Sequence, residues 1–227
     1  AYSYNEMVET ADLRYEEEQN LSQSLLRNVL PEPIIERLKK EPGTIVNRYD
    51  DVTILFADIV GFTRLSQRVE PELLVEVLNE FFVQIDNLAE KHGLEKIKTI
   101  GDAYMVVGGL PLVTEGHTEA VADMALELLE VVNNFKPIGS TKLAVRIGMN
   151  CGPVVAGVIG KRKFSYDLWG DAVNTAARME SSGKAGKIQV TEAVYSKLKH
   201  KYHLEKQDAL EIKGKGTMQT YFLTRAF

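Results

Sequence analysis

Cysteine is almost missing from this chain. Cys151 is the only one among 227 residues, so no intrachain disulfide can staple the fold, which fits a reducing compartment. An excess of basic charge is also missing: 27 Lys and Arg stand against 32 Asp and Glu, a net charge of -5. That balance argues against a nucleic-acid partner held by a broad basic face, and leaves room for a small anionic ligand, which needs only a local cluster. Long apolar runs are absent too. The longest, Gly152 to Gly160, is about half of the ~20 residues that cross a bilayer, and no signal-peptide pattern opens the chain. The first residue is Ala1, not Met, so a fragment or a processed product is expected. The expected location is cytoplasmic, either free or as the cytoplasmic domain of a membrane-anchored protein.

What is present is globular in character. Hydrophobic residues make up 44% and charged residues 26%, close to the average for folded domains. At ~150 residues per domain, the length reads as one large domain or one domain with an extension. Residues 1 to 48 differ in texture from the rest. Met7, Ala11, Leu21 and Leu25 fall on a weak 4/3 spacing beside polar Arg14, Glu18 and Asn28, a pattern that suits either a solvated helix end or a two-stranded signalling coiled coil. Pro31 and Pro33 interrupt it, Ile34, Ile35 and Leu38 begin a short helix, and Pro42-Gly43 ends that helix. The boundary is placed near Arg48, with residues 49–227 as a second segment.

Beyond the boundary, strand and helix signals alternate. Val52 to Ala57 is a short β-branched apolar run and reads as a buried strand. Leu73, Val77, Phe81, Ile85 and Leu88 repeat at helical spacing after Pro71 and stop at Gly93. Glu95–Ile100 and Ala103–Val107 flank Gly101-Asp102 and predict an antiparallel hairpin. Val121, Ala125, Leu128 and Val132 mark a second amphipathic helix. Lys142–Asn150 and Val154–Ile159 predict a hairpin turning at Cys151-Gly152-Pro153, and Asp171–Met179 a helix capped by Asp171. Shorter strands are expected at Phe164–Leu168, Lys187–Val190, Leu204–Lys206 and Tyr221–Leu223, with a helix over Thr191–Leu198. The pattern predicts an α+β fold, a mixed sheet packed by helices.

Two aspartates attract chemistry. Asp58 ends the apolar strand before the turn Gly61-Phe62-Thr63, where a carboxylate and exposed backbone N–H groups could hold a cation and phosphate oxygens. A plain helix cap explains it equally well. Asp102 sits in the hairpin turn, where aspartate is also an ordinary turn residue. As a pair, two strand-end carboxylates suit two divalent ions that serve an in-line displacement. Arg146 lies between Val145 and Ile147, so it is either solvated or turned toward an anionic partner. Asn174 and Arg178, four apart, share one helix face, polar and solvated unless recruited. Lys213-Gly214-Lys215-Gly216 reads as a flexible basic loop able to meet phosphates, and Lys161-Arg162-Lys163 as a solvated run.

The runs Phe56–Thr63, Glu95–Met105, Arg146–Gly152, Asp167–Met179 and Lys213–Gly216 together resemble the class III nucleotidyl cyclase catalytic domain, in the family's order and over roughly residues 49–225. Asn28–Ile34 resembles the helical transducer that often precedes it. The resemblance implies a ferredoxin-like core and a head-to-tail homodimer with active sites shared between subunits. It implies that Asp58, Asp102 and the Ile59 carbonyl hold two Mg²⁺ or Mn²⁺ ions, that Gly61, Phe62, Thr63 and Arg146 meet the phosphates, and that the other subunit supplies Lys98 and Asp167 to the base. Asn174 would orient the ribose, Arg178 would stabilise charge on the reacting phosphate, and Lys213 would grip the distal phosphates. A sensor or membrane domain is expected upstream.

The base follows from hydrogen-bond polarity. Adenine presents an acceptor at N1 and a donor amino group, whereas guanine reverses both. Lys98 has only donors and an ionised Asp167 only acceptors, so the pair matches ATP, to be converted to 3′,5′-cyclic AMP and pyrophosphate. Two rivals remain. A nucleotide-sensing module would bind ATP without turnover, and a nucleic-acid polymerase palm would share the two-metal logic but lacks a basic track for a template.

Overall fold

A long strand of β-branched and apolar residues lies at the centre of the sheet. In the computed structural model, which describes residues 4–41, 43–160 and 164–227, with side chains from residue 12 onward, the elements follow in order. They are α1 (Tyr4–Arg27), α2 (Glu32–Lys40), β1 (Ile45–Ile59), α3 (Phe62–Ser66), α4 (Pro71–Lys91), β2 (Glu95–Ile100), β3 (Ala103–Gly108) and α5 (His117–Asn134). Then come β4 (Val145–Ile159), β5 (Ser165–Trp169), α6 (Asp171–Ser181), β6 (Ile188–Thr191) and α7 (Glu192–Leu198). The chain closes with β7 (Tyr202–Lys206), β8 (Leu210–Ile212), β9 (Gly216–Met218) and β10 (Thr220–Ala226). The predicted run Lys161-Arg162-Lys163, Pro42, and the Met7 and Ala11 seam positions lie outside the described residues or side chains.

The chain forms two compact units, the described residues of 1–46 with 157–166, and those of 47–156 with 167–227. In the smaller unit, α1 packs against α2. Leu30, Ile34 and Ile35 are buried there, while Leu13, Leu21 and Leu25 on α1 are exposed. No described helix is long and apolar enough to cross a membrane.

The sheet runs in the order β2-β3-β1-β4-β6-β10-β7, with β5 paired to β4 and β8-β9 as a separate ribbon. It is mixed: β1 and β3 pair antiparallel, while β4 and β6 pair in parallel through Ile147↔Ile188, Gly148↔Gln189 and Met149↔Val190. Side chains alternate across the two faces of each strand. On one face Leu55, Ala57, Tyr104, Val106, Val145, Ile147, Met149, Ile188 and Val190 join Phe81, Ile85, Val121, Ala125, Leu128, Val194 and Leu198 in a continuous core. That face therefore carries α4, α5 and α7, whose apolar stripes produced the helical spacing in the sequence. Tyr104 bonds Asp86 of α4 through its hydroxyl at 2.6 Å, and Lys96 reaches the same carboxylate at 2.8 Å.

The opposite face carries Phe56, Asp58, Met105, Arg146, Gly148 and Asn150, and α6 lies on it, held by buried amides. Asn150 donates to the Ala172 carbonyl at 3.0 Å and Gln189 to the Met179 carbonyl at 3.1 Å.

Three expectations are corrected. The hairpin at Cys151-Gly152-Pro153 does not form, because β4 continues through it as one 15-residue strand beside a 15-residue β1. Pro153 is tolerated because the parallel pairing with β6 ends at Met149, so its missing N–H interrupts no bond of that ladder. Asp171 is not the cap of α6. Gly170 holds that position with no side-chain cap bond, and Asp171 opens the first turn. Lys213–Gly216 is not a free loop but the turn and first strand residue of the β8–β9 ribbon.

One half-buried carboxylate gives a test of the sheet edge. Burial pushes Glu95, opposite Val107 in the β2–β3 pair, up to about 7. A carboxyl raised above its unfolded value costs stability as pH rises from its ordinary value through 7, and costs none when protonated in both states. Glu95→Gln is therefore expected to raise the melting temperature at pH 8, by about 2–4 °C per kcal/mol, and to change nothing at pH 4. Thermal unfolding of both proteins at the two pH values checks this.

Candidate active site

The end of β1 turns sharply at Gly61, whose φ of 73° lies in the left-handed region that glycine adopts without penalty. The turn opens α3, and the first N–H groups of that helix, at Phe62 and Thr63, have no helical carbonyl to meet. Asp58 does not cap α3, which has no side-chain cap bond. Instead it accepts a hydrogen bond at Oδ2 from Arg146 Nη2 at 3.0 Å. Ile59 follows with a buried side chain, so its polar groups are those of the backbone, the carbonyl being the acceptor.

Asp102 stands in the β2–β3 turn, and the register Asp58↔Ala103 brings that turn beside the end of β1. The two carboxyl groups are within hydrogen-bond reach of each other. Burial, then the adjacent Asp58 carboxylate, pushes Asp102 up to about 6. Two facing carboxylates with a nearby backbone carbonyl form an oxygen donor set of the kind Mg²⁺ takes with substrate phosphates. Among the described residues no group of three or more His, Cys, Asp or Glu could hold a metal, so ions here would complete their shells with water and phosphate oxygens. The residues present fit such ions.

Arg146 projects from β4 on the face opposite Val145 and Ile147 and is half-buried between two acids. It meets Asp58 through Nη2, and Glu180 Oε1 through Nε at 3.0 Å. Glu180, on α6 with only 12% of its side chain exposed, was not singled out from the sequence. The only signal was a glutamate next to the apolar Met179. Burial pushes the Glu180 carboxyl up and Arg146 opposes that shift.

Lys98 reaches the same sheet face by a bulge. Lys96 pairs with Val106 and Lys98 with Met105, so Ile97 is an extra residue. Without it Lys98 would point with Lys96 toward the α4 side. With it, Lys98 shares the face of Phe56 and Asp58. Its ammonium meets Asp167 Oδ2 of β5 at 2.5 Å, and Asp167 Oδ1 accepts the Leu168 N–H at 2.8 Å. A donor and an acceptor thus stand side by side, each held.

Asn174 and Arg178 are exposed on α6. At about 100° per residue they lie roughly 40° apart, and Arg178 lies roughly 160° from Glu180. Since Glu180 turns toward Arg146, Arg178 turns away from Asp58 and Asp102 of its own chain. Lys213 is exposed in the β8–β9 turn, and Lys215 pairs with Asp171 at the start of α6. The structure therefore brings together Asp58, Asp102 and Arg146 as one group and Lys98 with Asp167 as another, and sets Asn174 and Arg178 outward.

Comparisons with known proteins place the chain in a family. The model for the adenylate and guanylate cyclase catalytic domain matches residues 45–225. The chain belongs to that family and is a nucleotidyl cyclase catalytic domain. An adenylate cyclase of Mycobacterium tuberculosis is 46% identical over 214 residues, covering 94% of this chain and 48% of that protein. The chain therefore spans about half the length of this relative. Among solved structures, the guanylate cyclase domain of RhGC from Catenaria anguillulae in complex with GTP superposes with a TM-score of 0.77 at 40% identity, over 80% of this chain and all of that one. The adenylyl cyclase CyaB from P. aeruginosa gives 0.73 at 26% identity, over 81% of this chain and 97% of that one.

Close packing of α6 depends on Gly148. A Cβ there would stand 2.0 Å from the Glu180 backbone nitrogen. Gly148→Ala is expected to destabilise the fold by about 1–3 kcal/mol and to displace the helix end. Urea unfolding measures the first effect, and a wild-type midpoint would count against the packing argument.

Proposed function

We propose that this domain is an adenylyl cyclase, converting ATP to 3′,5′-cyclic AMP and pyrophosphate at a homodimer interface. The observation that carries the choice of ATP is the Lys98–Asp167 pair. Its ammonium donates to adenine N1 and its carboxylate accepts from the amino group, whereas guanine would face each with a like partner. A desolvated polar group left unpaired costs ~1–3 kcal/mol, enough for one to several decades of discrimination if both contacts fail.

Asp58, Asp102 and the Ile59 carbonyl would hold Mg²⁺ or Mn²⁺, two per site, and such ions supply the positive charge that acidifies a hydroxyl and neutralises leaving phosphates. The chain's own residues do the rest by position and charge. Gly61, Phe62 and Thr63 offer N–H groups to phosphate oxygens, and Arg146 and Lys213 bind the phosphates. Asn174 holds the ribose so that its 3′-oxygen attacks the α-phosphorus in line while the bond to the β-phosphate breaks. Arg178 meets the charge that develops there. The 3′-proton passes to solvent. Catalysis is then mostly orientation and electrostatic stabilisation.

What supports a shared site is the direction of Arg178. It faces away from the aspartates of its own chain, so it serves a nucleotide bound to a second copy. Residues 1–48 are proposed as a signalling helix and transducer that carries input from a sensor or membrane domain to the way two catalytic domains meet.

Incubation with ATP and with GTP side by side, in Mn²⁺, tests the reading. Cyclic AMP with pyrophosphate is expected, and Asp102→Ala is expected to abolish it. Faster formation of cyclic GTP would overturn the substrate assignment, and no product from either would leave a binding module. Lys98→Glu with Asp167→Cys is expected to move the preference toward GTP. For the shared site, mixing inactive Asp102→Ala with inactive Arg178→Ala should restore activity, since random pairing leaves about one site in four intact. A mixture as inert as its components would place every group in one chain.

A further inference from the structure

Arg146 is held by two carboxylates of different character. Asp58 sits at the end of β1 beside a second acid, Asp102, and accepts from Nη2. Glu180 belongs to neither β1 nor the β2–β3 turn, and it accepts from Nε on another edge of the same planar group. Of the Arg146–Asp58–Glu180 triad, Glu180 is the most enclosed, with 12% of its side chain exposed against 21% for Asp58 and 31% for Arg146. The helix end that carries it is fixed as well. The Met179 carbonyl accepts from Gln189 Nε2 at 3.1 Å, the same nitrogen donates to Ser182 Oγ at 2.8 Å, and Gly148, paired with Gln189 in register, lets the helix end rest directly on the sheet.

We infer that Glu180 is a positioning residue, clamping the Arg146 guanidinium by Nε so that only its Nη edge alternates between Asp58 and a phosphate oxygen of the nucleotide. The inference rests on the cyclase reading for the identity of that phosphate. A cation held by Asp58 and Asp102 weakens the hold of Asp58 on Nη2, because it draws on the charge that the carboxylate shares between its two oxygens. The Nε bond is unaffected, since Glu180 is not one of the facing pair. Arg146 is then presented to the phosphates without first being released into water, which removes the ordering cost of a long side chain from the binding step. Without Glu180 both edges of the guanidinium fall to the aspartates, and the arginine competes with the cation it should complement.

The first test needs neither nucleotide nor turnover. In proton–nitrogen spectra of the cation-free protein, a slowly exchanging arginine Nε–H, assigned by its loss in Arg146→Ala, is expected to lose protection about tenfold or more in Glu180→Ala. It is expected to stay protected when Mg²⁺ is added to the wild type. Unchanged protection in the variant, or loss of protection on adding Mg²⁺, would overturn the clamp. The second test is kinetic. Glu180→Ala is expected to raise the nucleotide KM about tenfold or more with a smaller change in kcat, and to add nothing in an Arg146→Ala background. Equal losses in both backgrounds would show a structural role only and overturn the inference. If the alanine variant does not fold, Glu180→Gln, which keeps the size and one acceptor oxygen, is expected to give the same two effects at about threefold, confined to the background that retains Arg146. A wild-type chain inert toward ATP and GTP would refute the cyclase reading, and the spectra would still decide the role of Glu180.

Discussion

One guanidinium lets three carboxylates share a half-buried sheet face. Asp58, Asp102 and Glu180 would repel one another there, and Arg146 compensates two of them directly, with two hydrogen bonds from different edges. The compensation is incomplete. Three acids face one base, so the pocket keeps a deficit of positive charge, and burial together with the Asp58 carboxylate raises Asp102 to about 6. In the proposed reaction, that deficit is what divalent cations and then phosphates would meet. Removing the arginine would leave enclosed charges without a counter-ion, which costs more than the pair contributes.

The sheet makes this possible by having two unlike faces. The face under α4, α5 and α7 is continuous and apolar and supplies the cohesion of the larger unit. The other face mixes Phe56 and Met105 with charged, polar and small residues, and α6 lies there with amide hydrogen bonds from Asn150 and Gln189. Because stability comes from the first face, the second is free to hold charge. The helix also buries Ala172, Thr175, Ala176 and Met179 on its inner side, and its outer surface, with Asn174 and Arg178, stays exposed.

Much of the fold was legible because hydrophobic periodicity reports burial. The helix through Leu73–Leu88 and the hairpin around Gly101-Asp102 appear where the spacing put them, although Leu73 itself is exposed and Leu74 packs against the core. The misreadings share a cause, which is that local turn chemistry yields to pairing. Gly152-Pro153 has the composition of a turn, yet β4 has β1 as its neighbour in the sheet and the strand runs on through it. The basic Lys213–Gly216 segment lacks an apolar alternation, so its ribbon was invisible. Among the site residues, Asp58, Asp102 and Arg146 could be named from sequence, but each kept a bland alternative until register and contacts were known. Glu180 carried no such signal, because its partner lies 34 positions away on another element.

The order of the amino acids by itself determined most of the strands and helices, the two strand-end aspartates and the polarity of the Lys98–Asp167 pair, since these depend on residue type and short-range spacing. Only tertiary structure decided which carboxylates face one another, that a bulge at Ile97 turns Lys98 to the site face, and that α6 turns Glu180 inward and Arg178 outward. The reason is geometric. A strand's side-chain period is two and a helix's is 3.6 residues, so one added residue or one close backbone approach redirects every charge that follows, and the sequence alone does not record where that shift occurs.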